Sequence, residues 1–193
     1  MRIYFVLEEV YNTDELESVN KLAQLMSSKG HIVEFFAPNQ RSQPHRMEMF
    51  DKINYYYLQG KRKMKTEYIA EKAMGFCEVL SELPLADIMI AFHPHATFYC
   101  RMQVGTLHKI PIVFLTQNSI NIYSDPGFIN YADIIWTASS NLVEEIKETI
   151  GTNVMKEICN LELSDGKEEE IFKQIKCSLE NYISPDRWNG HDC

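Results

Sequence analysis

The feature that most constrains this chain is its opening of about forty residues, which reads strand, helix, strand. Arg2–Leu7 is an unbroken run of β-formers, the mark of a strand buried on both faces. In "DELESVNKLAQLMSSKG" the apolar residues Leu16, Val19, Leu22, Ala23, Leu25 and Met26 recur at helical spacing, and Gly30 is a helix stop. "HIVEFFAP" is a second strand closed by Pro38. A strand–helix–strand unit of this length implies parallel strands joined by a right-handed crossover.

The alternation continues to about residue 158. Strands are expected at Ile53–Leu58, at Ala86–Phe92 ("ADIMIAF"), at Ile110–Thr116 ("IPIVFLT"), at Ala132–Ser139 ("ADIIWTAS") and at Asn153–Ile158 ("NVMKEI"). Helices are expected at Lys65–Glu82, at Phe98–Lys109 and at Ser140–Gly151, the last capped by Ser139 or Ser140. This pattern predicts an α/β domain with a mostly parallel sheet and helices on both faces. Beyond Cys159 come a polar acidic connection and an amphipathic helix, Glu168–Ile183, with Ile171, Phe172, Ile175, Leu179 and Ile183 on one side. The tail Ser184–Cys193 is expected to be loosely held, with Trp188 able to pack back. The division is thus 1–160 for the α/β domain and 161–193 for loop, helix and tail.

Totals exclude several classes. The 193 residues fit one domain. A net charge of −8 argues against nucleic acid or an anionic membrane as the main partner, and Lys61–Lys65 ("KRKMK") is the one compact basic run. Five scattered cysteines without a CxxC pair indicate neither a zinc ribbon nor a thioredoxin-like motif, and a reducing cytoplasm is the expected location. The opening residues do not read as a signal peptide, and no apolar run reaches the ~18–20 residues of a membrane span.

In parallel sheets ligands bind beyond the carboxyl ends of the strands. Five loops are singled out: Glu8–Thr13, Asn39–Arg46, His93–Thr97, Thr116–Asp125 and Ser139–Asn141. The first contains no glycine, so neither a dinucleotide fingerprint nor a phosphate-binding loop is present. Glu8 and Glu9 there either bind hydroxyls, act as a base, or are solvated at a strand end. His93 and His95, two apart in an extended segment, would point the same way. Neither His45 nor His108 is spaced to complete a metal site with them, so no metal is expected. No Gly-x-Ser-x-Gly elbow exists, and no cysteine stands at a strand end beside a histidine. The long polar loop "TQNSINIYSDPGF" is rich in groups that hydrogen-bond sugars or amides, or is an ordinary surface loop. Glu162 and Glu170 match the spacing of a nucleotide-sugar signature, but within an acidic run where that spacing arises by chance.

Taken together, "ELESVNKLAQLMSSKGHIVEFFAP", "ADIMIAFHPHA", "KIPIVFLTQNS" and "YADIIWTASSNLVEEIKETIG" resemble, in order and spacing, the N-terminal half of family-4-like glycosyltransferases of the GT-B fold. The likeness covers about residues 1–160. It implies a Rossmann-like, acceptor-side α/β/α domain whose loops face a cleft closed by a second, nucleotide-sugar-binding domain. It implies further that His93 or His95 stands near the transferred sugar, that Thr116, Gln117 and Asn118 line the acceptor side, and that Ser139 and Asn141 mark the cleft edge. The partners so implied are a nucleotide-sugar donor and a glycan or lipid-linked acceptor, with no further cofactor. The glycine pair usual after the first strand is replaced by "EEVYNT", and nothing after Cys159 has the length of a donor domain. The chain is therefore expected to be a fragment, half of a split enzyme, or a stand-alone remnant with a binding role. A donor-domain partner chain or a homodimer would complete it, and the terminal helix would cover the interdomain surface. The alternative is a non-catalytic binding or scaffolding module that pairs with a second polypeptide. A flavodoxin-like domain lacks its phosphate loop here, and a response-regulator-like domain lacks its acidic strand end.

Overall fold

The computed structural model describes residues 1–7, 13–37, 53–57, 69–104, 110–117, 126–137, 139–150, 157–161 and 166–188. Seven strands form one sheet: β1 Arg2–Val6, β2 Ile32–Ala37, β3 Ile53–Tyr57, β4 Ile88–Ala91, β5 Ile112–Thr116, β6 Ile134–Thr137 and β7 Glu157–Asn160. Their spatial order is β3-β2-β1-β4-β5-β6-β7, and every neighbouring pair is parallel. The chain winds outward from β1 to β3, then returns to β1's other side to build β4 through β7. The order therefore reverses between β1 and β4, the switch point at which open α/β sheets hold ligands.

Alternation along the strands explains why their sequences are apolar throughout. Ile3, Phe5 and Leu7 join Val19, Leu22 and Met26 of α1 (Thr13–Ser28) in one core layer. Tyr4 and Val6 point the other way, into a second layer with three helices. These are α2 (Ile69–Ser81, through Phe76 and Leu80), α3 (Pro94–Val104, through Tyr99 and Cys100) and α5 (Ser140–Ile150, through Leu142 and Ile146). Each such side chain contributes about 1.5–3 kcal/mol on burial, so both faces demand cover. The α/β/α expectation is met.

Gly30 ends α1 at φ +81°, with Gly30 N–H donating to Ser27 O and His31 N–H to Met26 O. Two helix starts differ from expectation, and proline is the reason. α3 begins at Pro94 rather than Phe98, and a short α4 (Pro126–Ile129) stands where a loop was expected. Proline has its φ preset for a first helical position, where no N–H partner is needed. β7 lies further along the chain than expected, ending at Asn160.

The last helix, α6 (Glu168–Ser178), stops short of Ile183, with glutamates in its first turn and Lys176 in its last, as its dipole favours. Ile171, Ile175, Leu179, Ile183 and Trp188 all enter the α1 layer, and Trp136 Nε1 donates to Ser178 Oγ at 3.1 Å. The segment through the 3₁₀ turn Pro185–Arg187 is thus packed rather than loose, and Trp188 is 4% exposed. It corrects the expectation of an interdomain cover. α6 covers a sheet face, and its tail reaches the amino ends of the strands, where Arg187 pairs with Asp87.

Candidate functional site

The carboxyl ends of β4, β5 and β6 bring three of the expected residues to one edge of the sheet. His93 lies two residues past the end of β4, half-buried, its ring edge-on to Phe92 at 5.0 Å. Gln117 follows β5, and Ser139 precedes α5, with its carbonyl accepting from Thr137 Oγ1 at 3.1 Å. Thr116 is fully buried at the end of β5, beneath that edge. Asn141 is exposed in the first turn of α5. Glu8, Glu9 and Asn118 lie outside the described residues, as does the loop Asn39–Arg46.

The two histidines do not form the extended pair expected of them. Only Phe92 and His93 separate β4 from α3, which opens at Pro94, and His95 is already in the first helical turn. Residues two apart on a helix do not face each other. His95 instead meets the edge of Phe128 in α4, with centroids 4.7 Å apart. Among the described residues no group of three or more His, Cys, Asp or Glu could hold a metal ion.

Thr97 fixes this corner and was missed in the sequence. It is fully buried, and its Oγ1 lies 2.6 Å from Pro94 O and 2.5 Å from Phe128 O. One hydroxyl proton serves the two carbonyls by turns, tying α3 to α4. Phe128 in turn packs against Phe98 and Tyr131. Its only sequence signal was the Pro-Gly start of "PGFI", read as loop.

Among the described residues, Gln117 Nε2 and Asn160 Oδ1 are buried near this edge without a hydrogen-bond partner. Asn160 ends β7, in register with Thr137 of β6, which borders β5. It was missed because β7 was expected to stop before it.

The cysteines supply no activated nucleophile among the described residues. Burial pushes the Cys100 thiol far up, and burial with the neighbouring Glu157 carboxylate pushes Cys159 up to about 12. Such thiols stay protonated and unreactive.

What the described residues of this edge offer is an imidazole, amides, hydroxyls and the free N–H groups that any helix start presents. These groups can orient a hydroxylated or mildly anionic ligand, and no activated nucleophile stands among them.

No family model matches the chain, and no curated sequence matches it. Solved structures do. The chain is similar to the lipopolysaccharide outer core galactosyltransferase WaaB in its apo form, at 22% identity and a TM-score of 0.60, over 82% of this chain and 44% of that one. It is similar to a sucrose-phosphate synthase structure from Thermosynechococcus elongatus at 11% identity and a TM-score of 0.61, over 93% and 99% of the two chains. It is also similar to MurG of Acinetobacter baumannii at 13% identity and a TM-score of 0.53, over 82% and 44%. The chain spans less than half the length of WaaB and of MurG. At these identities the likeness shows the fold alone: a Rossmann-like α/β/α domain with a parallel sheet, similar to part of WaaB and of MurG.

Proposed function

We propose that the chain is the acceptor-binding domain of a sugar transferase, passing a hexosyl group from a nucleotide sugar to a hydroxyl of a glycan or lipid-linked glycan. The observation that carries the reading is the row His93, Gln117 and Ser139 at the carboxyl ends of adjacent strands. That edge is where ligands collect in sheets of this kind. Its described hydrogen-bonding groups suit hydroxyls, and its lack of a described nucleophile suits a reaction that works by positioning and charge stabilisation. His93 or His95 would hydrogen-bond the sugar or move a proton. Glu8, Glu9, Thr116, Asn118 and Asn141 remain candidate binding residues on the same reading. The donor site belongs to a second domain, supplied by a partner chain or by sequence beyond this one.

Calorimetry against nucleotide sugars and a series of glycans tests this. The expected result is glycan binding, with weak or no nucleotide-sugar binding and no transfer by the chain alone. Transfer at an ordinary enzymatic rate, about 1–10³ s⁻¹, would overturn the need for a donor domain.

A second reading has its own support. Met74, Met102 and Tyr131 are exposed on the helical layer that carries α3. That layer would serve a binding module that pairs with a second polypeptide. Sedimentation showing a stable homodimer, with no glycan bound, would favour it.

A further inference from the structure

We propose a second binding site, for an organic monoanion with an apolar body, in the groove between α6 and the tail that returns beside it. A cavity of about 620 Å³ opens there, within the size range of small-molecule sites. Phe172, Ile183, Pro185 and Trp188 supply its apolar wall, and Lys29, Lys173 and Lys176 its cations. Glu169 and Glu180 also line it. Lys29 follows α1, and Trp188 meets the ring of His31, which precedes β2. The groove therefore lies toward the amino ends of the strands, away from the edge that holds His93, and it is independent of the acceptor reading.

The charges in the groove do not cancel. Lys29 Nζ pairs with Glu169, whereas Lys173, Lys176 and Glu180 have no ion-pair partner among the described residues. Two free ammonium groups against one free carboxylate leave one positive charge uncompensated, which a single negative charge would match. Lys173 and Lys176, three apart on α6, share one side of the helix. Lys176 is half-buried, so its stem is already held against the groove. Its Nζ and that of Lys29 stand 5.8 and 5.3 Å from the centre of the Phe172 ring. These two like charges repel, and an anion seated at that ring relieves the repulsion while its apolar part lies along Phe172 and Pro185. A neutral molecule would gain only the apolar contact, and a dianion would meet Glu180.

The test uses the full chain and two fluorescent probes of similar shape, the monoanion anilinonaphthalene sulfonate and the uncharged phenylnaphthylamine. The anion is expected to bind about tenfold more tightly, and to shift the Trp188 indole resonance while leaving His93 unmoved. The double variant Lys173→Gln, Lys176→Gln removes both free ammonium groups. It is expected to weaken the anion about tenfold, with neutral-probe binding and melting temperature unchanged. Glu180→Gln removes the opposing carboxylate and is expected to tighten the anion about threefold; it also serves if the double variant does not fold. Equal affinity of the parent for the two probes would overturn the proposal, as would a double variant that binds the anion like the parent. A shift at His93 in place of Trp188 would put the anion at the carboxyl edge and overturn it as well. The acceptor reading is untouched by these outcomes, since it stands or falls on glycan binding.

Discussion

Asp133 and Asp87 do the same work at two places in the sheet. Asp133 Oδ2 accepts the N–H of Ile112, the first residue of β5, at 2.9 Å, and its Oδ1 takes the Arg101 guanidinium at 2.7 Å. Asp87 Oδ2 accepts the N–H of Arg2, the first residue of β1, at 2.8 Å, and its Oδ1 pairs with Arg187. Each aspartate precedes its own strand and closes the amide that its neighbour strand would otherwise leave open. The Ala-Asp lead of "ADIMI" and "ADIIW" thus has a structural cause.

Asp133→Ala is expected to destabilise the fold by about 2 kcal/mol, since it strands the Ile112 N–H and takes one partner from Arg101, which keeps only Tyr131 O. Asp133→Asn keeps an acceptor for Ile112 and should cost less than half of that. Urea unfolding of the two variants checks the order. Equal costs would mean that charge, and not the amide bond, is what matters.

The indole of Trp136 reaches across the core to Ser178, which joins β6 to α6. A chain ending at residue 165 would lose Ile171, Ile175, Leu179, Ile183 and Trp188 from one core layer. Five such side chains represent on the order of 10 kcal/mol, comparable with the whole stability of a domain. The shortened chain is expected to be insoluble or unfolded by circular dichroism. Ser178→Ala is the mild version, expected to cost about 1–3 kcal/mol by orphaning the buried indole N–H. A shortened chain that folds with an unchanged melting temperature would refute the assignment of α6 to the core.

Thr97→Val separates shape from hydrogen bonding at the α3–α4 corner. The volume is kept while the hydroxyl shared by Pro94 O and Phe128 O is lost. The expected cost is about 1–2 kcal/mol. Because Phe128 also meets the His95 ring, the His95 imidazole resonances should move as the ring current changes. Unmoved His95 signals in a destabilised variant would show that the bond to Phe128 does not position the histidine.

Strand positions were legible because a doubly covered parallel sheet requires continuous apolar runs, and the chain supplies them from Arg2 to Thr137. Helix starts were less so. Pro94 and Pro126 read as breakers in sequence, whereas at a first helical position they are initiators. The site was legible by place and not by partner. The rule about carboxyl ends selected His93, Gln117 and Ser139, but nothing local announced Thr97 or Asn160. Their surroundings depend on atoms about 20 to 40 residues away, Phe128 O for the one and the β6 edge for the other. His31 was not singled out for the same reason: its environment is built by Phe172 and Trp188, from the far end of the chain.

His31 is 4% exposed, and neither ring nitrogen has a hydrogen-bond partner. Burial holds its pKa down to about 4; the Met1 amino group and Lys176 push the same way, and the Asp87 carboxylate opposes them. The folded protein therefore keeps His31 neutral over a range in which the unfolded chain, with an ordinary value of 6.5, binds a proton. Stability from this group is fully present above pH 6.5 and is lost as pH falls toward 4, amounting to about 2 kcal/mol at about pH 5. His31→Phe removes the titrating group and both orphaned nitrogens while keeping a ring beside Phe172 and Trp188. Urea unfolding at neutral pH and at about pH 5 should show the parent losing stability in acid and the variant losing about 2 kcal/mol less. Parallel losses in the two proteins would place the acid sensitivity elsewhere in the fold.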